Sequence, residues 1–545
     1  MDRIIDDLKN KLLKIDATNK NDIYNSHLYW SQKPFNICEA IIDNLTEEGD
    51  IVLDGFMGSG VTVIEAVKAK RKAIGVDIND MPLFIVNTLL EQYDLEVIFK
   101  ELDKFLEYIN KYNKYYVTVC TKCGKNTGIV KKVIFDRAGI KEKCELKEIE
   151  YKCCSTERKN QKKEPDEYDV DNFENYELGE VSRFELIENS RLAVSSKEKI
   201  SDIFTKRTMK ILEEILFYIQ KIEDKNIKTI LKYTFMGTLH SLKITDLKSN
   251  SQWPLWTPKI NCLEKNVVDV FSGRITKVKK ALAYIDKTIP MGREKAESFN
   301  DLKFKNYMLI KKGMQYIDNK VIDDKSVDLI ITDPPYLGQV LYSEYMQLYK
   351  PFLEFDFNLE DEIVVSTAPS RDKQEKQFYV DLELAFKQMG RVLKEEKYLC
   401  LYFHDSSLKF WSKLNDIMIN SGLEYITQVH IGKAKKTLKK IIDPKKSLSG
   451  DCLLFFKKNS NVKKKEKSKK SIKEIEYEVN EIVKKLIRIK GVAKTAELYD
   501  DGVIEYLLKE NSIEIFAEKY NTLVDYLNKN FKWCEESNLW KVEED

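Results

Sequence analysis

The tetrapeptide Asp333-Pro334-Pro335-Tyr336, at the end of an apolar stretch, constrains this chain more than any other feature. The preceding residues 327–332 are typical of a buried strand in a parallel sheet. The tetrapeptide therefore lies at a strand's carboxyl end, where open α/β sheets bind ligands. Consecutive prolines stiffen the loop and leave carbonyl groups without competing N–H donors. A carboxylate, such carbonyls and an aromatic ring suit a planar amino group, although a simple strand-to-turn boundary is the alternative.

A second loop with ligand-binding features lies far upstream. A strand at 50–54 leads into the glycine-rich turn 55–60 and then into a helical stretch at 61–70. Glycines allow a ligand to approach the backbone, and a helix N-terminus adds positive polarity. The next strand ends in Asp77, an acid suited to ribose hydroxyls. The glycine spacing differs from the dinucleotide fingerprint, so we expect no pyrophosphate here.

These segments resemble S-adenosylmethionine-dependent DNA amino-methyltransferases, and more narrowly their large adenine-specific members with an embedded zinc-ribbon-like insert. The turn 55–60 with Asp54 before it resembles the cofactor motif. The preceding Gln32-Lys33-Pro34 resembles the segment that helps to hold the methionine part of the cofactor. The resemblance is good around residues 25–95 and 301–458 and looser around 200–275. It implies a Rossmann-like methyltransferase sheet of the α/β class that is interrupted by a large insertion.

The resemblance also implies which residues contact the cofactor and the target base. The implied cofactor-binding residues are Lys33, Pro34, Asp54, Gly55, Phe56, Met57, Gly58, Ser59, Gly60, Asp77 and Ile78. The implied catalytic residues are Asp333, Pro334, Pro335 and Tyr336. One departure stands out, because family members often have a Gly-Asp pair that contacts the adenine of the cofactor. This chain has Lys312-Gly313-Met314 there, so we expect the adenine to be held differently or less tightly.

The chemistry of an exocyclic amino nitrogen explains why such a loop would be useful. This nitrogen is a poor nucleophile because its lone pair is delocalised into the ring. Asp333 can accept one N–H and the Pro334 carbonyl the other, which concentrates electron density on the nitrogen during attack. Tyr336 can stack on the base, which must be flipped out of a duplex to be reached. The chain contains no Pro-Cys dipeptide, which argues against methylation of a ring carbon.

These features make methylation of adenine N6 in double-stranded DNA the leading hypothesis. N4-cytosine methylation is the nearest alternative, since the same loop chemistry serves both amino groups; Asp rather than Ser at 333 favours adenine within the family. An RNA guanine-N2 methyltransferase and a non-catalytic DNA-binding subunit of a defence system are two further alternatives. The segment 32–34 favours DNA as the substrate. The resemblance is compatible with a role in restriction-modification or phage defence, with or without partner subunits.

Length and composition set the outer limits of these hypotheses. A chain of 545 residues should hold two to four domains. Its 91 Lys and Arg nearly balance 89 Asp and Glu, so any nucleic-acid surface must be local. No stretch has the length of a transmembrane span, and the acidic, amphipathic N-terminus is unlike a secretory signal. We therefore expect a cytoplasmic protein without membrane contact, whose 10 cysteines are mostly reduced.

The two loops are too far apart for a single crossover, so we expect further domains between and after them. The methyltransferase domain is predicted in two halves, 1–115 with the cofactor loop and 301–458. Between them we expect a zinc-ribbon-like insert at 116–160 and a mainly helical insert at 161–300, the candidate target reader. A basic linker at 459–470 and a small helical domain at 471–545 follow the second half. The last domain is compatible with a winged-helix-like DNA reader or with a packing module.

Cysteines in the first part of the insert predict a structural zinc site. Cys120 and Cys123 form a C-x-x-C knuckle, and Cys153 and Cys154 could close it, with Cys144 as a further candidate. Tetrahedral zinc needs four ligands, which a ribbon usually supplies as two C-x-x-C pairs. Here the second pair is two adjacent cysteines. A ribbon that folds without metal is therefore the alternative.

Overall fold

Strands and helices alternate through most of the chain. The structure is a computed structural model that describes residues 3–125, 127–137, 144–153, 160–247, 253–337, 340–432, 445, 448, 450–463 and 468–542. Its strands are β1 Ile51–Asp54, β2 Lys72–Asp77, β3 Val117–Thr118, β4 Gly128–Arg137, β5 Cys144–Lys152, β6 Gln161–Lys163, β7 Thr245–Asp246, β8 Cys262–Lys265, β9 Lys295–Ala296, β10 Tyr307–Lys311, β11 Val327–Thr332, β12 Leu393–Tyr402, β13 Leu423–Ile431, β14 Asp451–Lys458, β15 Lys532–Cys534 and β16 Leu539–Lys541.

Helices cover the sheet and fill the insert and the C-terminal region. They are α1 Arg3–Leu12, α2 Phe35–Leu45, α3 Val61–Lys68, α4 Asp80–Leu90, α5 Leu95–Asn110, α6 Glu167–Glu174, α7 Lys206–Gln220, α8 Lys225–Leu242, α9 Val267–Thr288, α10 Tyr342–Tyr345, α11 Lys350–Leu353, α12 Glu375–Val392, α13 Leu408–Asn420, α14 Ile472–Lys490, α15 Thr495–Leu498, α16 Ile504–Lys509, α17 Ile513–Lys519 and α18 Leu523–Asn530. None of the described helices combines the length and the apolar character that crossing a bilayer would require.

A largely parallel eight-stranded sheet forms the centre of the molecule. Its order is β13–β14–β12–β11–β1–β2–β10–β9. The strands from β12 to β9 in this order run parallel, whereas β14 is antiparallel to both of its neighbours. Every residue of β11 is buried, as expected for a strand covered on both faces. The predicted α/β class is confirmed, and β14 is an antiparallel strand near the end of the sheet.

The strand order changes direction at β1, and this determines where a ligand can bind. Strand β1 pairs with β2 on one side and with β11 on the other, although β11 follows it by more than 270 residues. All three strands are parallel, so Asp54, Asp77 and Asp333 come to the same edge of the sheet. Open α/β sheets bind ligands at such a switch point, outside the carboxyl ends of the strands.

The chain between the two halves of this sheet builds a separate antiparallel sheet. Its order is β6–β5–β4–β8–β7, with β3 paired to β4. Arg207 of α7 forms an ion pair with Glu264 of β8, and Thr205 donates a hydrogen bond of 2.7 Å to the same carboxylate. Both charged side chains are buried, so this pair ties the helices of the insert to its sheet. The insert is therefore a mixed structure rather than a ribbon followed by helices alone.

The C-terminal helices pack onto the sheet through a buried charge. Asp500 lies in a π-helical turn, Tyr499–Val503, and is fully buried. Its Oδ2 is 2.6 Å from His430 Nδ1 of β13 and 3.2 Å from His404 Nε2 just after β12. The predicted C-terminal helices are confirmed, with the hairpin β15–β16 as an addition. Through Asp500, His404 and His430 connect this C-terminal region to the ends of β12 and β13. We call these three residues the clamp.

The charges of the clamp shift one another's pKa in opposite directions. Burial alone would raise the pKa of Asp500, but His404 and His430 more than offset this and lower it to about 2. Burial alone would lower the pKa of His404, but the Asp500 carboxylate raises it above 6.5. The acid therefore stabilises the fold above pH 3.8, its ordinary pKa, and loses this effect as the pH falls toward 2. The His404 contribution is complete below pH 6.5 and is lost as the pH rises through its raised pKa.

We expect Asp500→Asn to lower the free energy of unfolding by about 3 kcal/mol near pH 5.5, because it leaves a buried imidazolium without its carboxylate. The loss should be smaller at pH 8.5, because His404 gives up its proton in the wild type as the pH rises through its raised pKa. Urea denaturation at both pH values measures the difference. Glu518→Gln removes an exposed charge from α17 and serves as the control. An equal loss of unfolding free energy at both pH values would contradict the charge interaction between Asp500 and His404.

Candidate active site

A single cleft opens at the carboxyl edge of the central sheet, and both loops predicted from the sequence meet in it. The predicted residues that line it are Lys33, Asp54, Gly55, Phe56, Met57, Gly58, Ser59, Asp77, Ile78, Asp333 and Pro335. Pro34, Gly60, Pro334 and Tyr336 are not among its lining residues. The segment 312–315 also lines the cleft, and residues 312–314 were expected near the cofactor's adenine. The segment 361–363, which no motif identified, completes the wall.

The glycine-rich turn needs its glycines for conformation and for space. Gly58 and Gly60 have φ values of +51° and +76°, in the left-handed region. A Cβ atom at Gly58 would lie 2.9 Å from the ring of Tyr29, and one at Gly60 would lie 2.0 Å from a Val86 methyl. The backbone of the turn thus lies against its neighbours on one side and faces the cleft on the other.

Two acids hold this turn in place, Asp54, which is buried, and Asp77, which is half-buried. Asp77 accepts hydrogen bonds of 3.0 Å from the backbone N–H groups of Gly58 and Asn79. Asp54 accepts from the Phe56 N–H at 3.1 Å and from the Thr332 hydroxyl at 2.9 Å. Burial raises the pKa of Asp54 to about 6 and that of Asp77 to about 7, in spite of these bonds. Each carboxylate oxygen has a second lone pair, so both acids retain acceptor capacity in the cleft.

Asp333 lies in a half-buried charged cluster rather than alone at the strand end. Its Oδ2 is 3.0 Å from Lys33 Nζ, which is also 3.4 Å from Asp451 Oδ1. Its Oδ1 accepts a 2.6 Å hydrogen bond from the Tyr336 hydroxyl. Burial raises the pKa of Asp333, and the Lys33 ammonium limits the rise. Burial opposes the charge of Lys33, but the carboxylates of Asp333 and Asp451 raise its pKa on balance. Lys33 was predicted as a cofactor residue, and the structure places it at the carboxylate of Asp333.

Aromatic rings form the wall around this cluster. The Tyr402 ring lies 5.2 Å from Lys33 Nζ, and the Tyr402 carbonyl accepts a 3.2 Å bond from the Tyr336 hydroxyl. The Tyr402 hydroxyl is buried, with no hydrogen-bond partner among the described residues. Tyr29 and Tyr342 stack with their centroids 5.9 Å apart. Sequence reasoning missed these three tyrosines, because no motif marks them and only the fold brings them to the cleft.

A buried arginine stabilises the chain that follows the Asp333 loop. Arg371 Nη1 lies 2.6 Å from Glu344 Oε2 and 2.6 Å from Glu362 Oε2. Glu362 also accepts a 3.2 Å bond from the Ser343 N–H, and it lines the cleft. Desolvation raises the pKa of Glu362, against the opposing effect of Arg371. This network therefore fixes one wall of the cleft from behind.

Three of the predicted metal ligands lie together in the insert. The Sγ atoms of Cys120, Cys123 and Cys153 all lie within 4.8 Å of one another, and Cys123 and Cys153 are 3.7 Å apart. Backbone N–H of Cys123 lowers the pKa of the Cys120 thiol, which favours the thiolate. Cys154 lies outside the described residues. Cys144 begins β5 and thus lies at the far end of the strand that leads to Cys153, away from this group.

Sequence comparison identifies relatives of this chain. A family model described as DNA methylase, of the N6/N4 methyltransferase type, matches residues 7–85. The type II methyltransferase M.MjaII of Methanocaldococcus jannaschii is 24% identical over 434 residues, which is 74% of this chain and 74% of that protein.

Two further relatives match over much shorter stretches. The type II methyltransferase M.HindIII of Haemophilus influenzae is 38% identical over 69 residues, 13% of this chain and 21% of that protein. The type II methyltransferase M2.DpnII of Streptococcus pneumoniae is 43% identical over 61 residues, 11% of this chain and 23% of that protein. This chain is therefore similar to DNA methylases of the N6/N4 type and to type II methyltransferases.

Proposed function

We propose that this chain, a relative of the N6/N4 DNA methylases, transfers a methyl group from S-adenosylmethionine to N6 of adenine in a base flipped out of double-stranded DNA. The observation that carries this proposal is the position of Asp333. Its carboxylate lies in the cleft formed by the glycine-rich turn, at the end of the strand next to β1, and Lys33 holds it there. A methyl donor bound by the turn and an amino group bound by Asp333 would thus meet.

The cleft has the chemistry that an S-adenosylmethionine molecule needs. The cofactor would supply an electrophilic methyl group on its sulfonium. Asp77 has acceptor capacity for ribose hydroxyls, and the turn 55–60 exposes backbone to the cleft. The carboxylates of Asp54 and Asp333 line the same cleft and would offset the positive charge of a bound sulfonium. The unpartnered Tyr402 hydroxyl adds a polar group at the same end. The residues present therefore fit the group.

Asp333 would act on the amino group of the base. One of its oxygens is free to accept an N–H when the Tyr336 hydroxyl turns away, while Lys33 keeps the other oxygen in position. The Pro334 carbonyl would accept the second N–H. As the bond from the amino nitrogen to the methyl carbon forms, the bond from that carbon to sulfur would break, and its electron pair would stay on sulfur as a neutral thioether. The nitrogen would then lose a proton to the Asp333 carboxylate. Positioning and charge placement supply the rate increase, so no covalent nucleophile is required.

The residue at position 333 favours adenine over cytosine, through the resemblance to adenine-specific enzymes. N4-cytosine is the second candidate, because the matching family model covers both kinds of enzyme. The insert that we place at 116–160 and 161–300 would carry the target reader, since it is large and folds as its own sheet with helices. The methyltransferase halves would then be 1–115 and 301–458, and 459–470 would link them to the helical region 471–545.

We expect the purified protein to methylate double-stranded DNA and to leave RNA unlabelled when tritiated S-adenosylmethionine is the donor. A nucleoside digest read by mass spectrometry should contain N6-methyladenine. Asp333→Ala should lower single-turnover methyl transfer by at least about 100-fold, the scale for loss of one transition-state hydrogen-bonding group. Binding of S-adenosylmethionine by this variant should remain near the wild-type level, since the turn 55–60 is untouched.

The control for this experiment is Asp323→Ala, which removes an exposed carboxylate before the opposite end of the same strand. It should turn over like the wild type. N4-methylcytosine in the digest would overturn the base assignment and keep the mechanism. Label only in RNA would overturn the substrate class, and equal turnover by Asp333→Ala and wild type would overturn the role of Asp333.

We expect Asp77→Ala to weaken binding of S-adenosylmethionine by about 1.5–3 kcal/mol, the scale of a hydrogen bond to a charged group. Asp77 would contact the ribose hydroxyls, and its loss also frees the N–H groups of Gly58 and Asn79. Titration calorimetry measures the affinity, with Asp333→Ala as the comparison variant that keeps this contact. An unchanged affinity would move the ribose contact to another residue.

We also infer that the insert binds one structural zinc ion through Cys120, Cys123 and Cys153. The three clustered thiols and the lowered pKa of Cys120 support this, and Cys154 is the proposed fourth ligand. The cluster lies outside the cleft, so the zinc would stabilise the insert and take no part in methyl transfer. A ribbon that folds without metal is the alternative.

Elemental analysis of protein purified without chelator should find one zinc per chain. Cys123→Ser should lose most of it, because zinc sites need deprotonated thiol ligands. Cys144→Ser is the matched control and should keep its zinc, because Cys144 lies at the other end of β5. Less than about a tenth of an equivalent in the wild type would favour the metal-free ribbon.

A further inference from the structure

Arg274 of α9 is a half-buried cation that pairs with no carboxylate of the described residues. Its Nη1 donates hydrogen bonds to the carbonyl groups of Asn25 at 3.2 Å and Ser26 at 2.7 Å, and both acceptors are neutral. Its Nε and Nη2 bond to nothing in the described part of the chain, and neither atom is fully enclosed. Burial lowers the pKa of this guanidinium. A desolvated positive charge without a counter-ion is stabilised by an anion.

Helix α8 leaves the space in which this side chain lies. Gly237 stands in the interior of α8, where glycine is less favourable than alanine. A Cβ atom at Gly237 would lie 2.8 Å from Arg274 Cδ and 2.8 Å from its Nε. The two carbonyl groups hold the guanidinium from another side. The positive charge is therefore in position before an anion arrives, which lowers the entropic cost of binding.

Two further cations follow Arg274 along α9. Lys277 and Lys280 stand three and six residues later, so the three charges lie on successive turns of the helix. Both lysines are exposed, and neither forms an ion pair with a residue that the structure describes. Partial burial lowers the pKa of Lys277, and the positive charges of Arg274 and Lys20 lower it further. We call Arg274, Lys277 and Lys280 the basic row.

The acids of α9 do not neutralise the basic row. Asp269 pairs with Lys131 at 2.8 Å, and Asp286 pairs with Arg293 at 3.2 Å. Like charges held close together repel one another, so an anion that meets the row relieves this repulsion. The net charge of the whole chain is only +2, which conceals this local positive surface.

The carbonyl partners of Arg274 place the basic row near the cleft. Asn25 and Ser26 precede the segment 29–33, which lines the cleft. Only three residues lead from Ser26 to Tyr29, and extended chain spans at most about 11 Å over that length. Nucleotides of one DNA strand rise by about 3.4 Å each, so this distance covers about three of them. A strand whose target base enters the cleft would therefore bring its flanking phosphates within reach of the row.

Building on the proposed function, we propose that the basic row binds the phosphodiester backbone of the DNA strand that carries the target base. A guanidinium matches two phosphate oxygens with a pair of N–H groups, and Nε and Nη2 of Arg274 form such a pair. The row extends over about 9 Å of helix, enough for more than one phosphate. Backbone contacts fix the position of a strand and carry no sequence information. The row thus positions the target nucleotide, and other residues read the bases.

The experiment measures binding of a fluorescein-labelled, mixed-sequence DNA duplex to the full chain by fluorescence anisotropy at several KCl concentrations. Lys277→Gln removes one charge of the row and leaves the cleft and the carbonyl bonds unchanged. The slope of log affinity against log salt should become shallower by about 0.9 for one lost phosphate contact. Affinity near 0.1 M salt should fall about eightfold, since this contribution vanishes near 1 M. Arg274→Gln keeps an amide donor for the carbonyl groups and should change the slope similarly.

Lys279→Gln is the matched control, because it removes the same charge from the same helix. Lys279 Nζ pairs with Asp103 at 2.6 Å and is not part of the row, so this variant should keep the wild-type slope. Equal slopes for Lys277→Gln and Lys279→Gln would overturn the phosphate site. Tighter binding of an RNA duplex of the same sequence would overturn DNA as its occupant. Thermal melting shows whether the variants fold; if Arg274→Gln does not, the exposed Lys277 decides the outcome.

Methyl transfer at saturating DNA separates this inference from the proposed function. Lys277→Gln should then transfer methyl groups at the wild-type rate, because Lys277 lies outside the cleft. A shallower slope for this variant, together with no methyl transfer by the wild type, would support the phosphate site and overturn the proposed function. Methyl transfer by the wild type with an unchanged slope for the variant would do the reverse.

Discussion

The parallel pairing of β1 with β11 is the constraint on which the rest of the site depends. Val52 and Leu53 pair with Leu329 and Ile330, and the Thr332 hydroxyl then reaches Asp54 at 2.9 Å. These contacts join segments separated by 278 positions. Without them the glycine-rich turn and the Asp333 loop would belong to two unrelated strand ends. The chain between them is free to fold as an insert because both of its ends return to the same sheet.

Lys33 adds a positive charge beside Asp333 at the place where the two loops meet. A half-buried ammonium between Asp333 and Asp451 keeps its charge because both carboxylates offset its desolvation. The segment that carries it is anchored in the insert. Gln32 contacts His27 at 3.3 Å, and His27 contacts the Tyr233 hydroxyl of α8 at 2.9 Å. Two hydrogen bonds and one ion pair thus connect α8 of the insert with Asp333.

The sequence motifs and strand patterns predicted the two loops of this site, but they did not predict which side chains pair within it. The strand before Asp333 and the turn after Asp54 were visible because glycine, proline and apolar runs carry local information. The partners of Lys33 and Gln315 were not, since Asp451 and Asp361 lie 418 and 46 residues away. No local spacing encodes such contacts. The same holds for His404, His430 and Asp500, which come from two strands and a C-terminal turn.

The sequence by itself determined the α/β class, the two ligand loops and the C-terminal helices, because periodicity and turn residues act over a few positions. It also identified Cys120, Cys123 and Cys153 as a group, through the spacing of a knuckle. Only the tertiary structure decided which acid each basic side chain meets and that the insert combines a sheet with helices. Those features depend on contacts between distant segments, and their free energies appear only when burial removes the competing water.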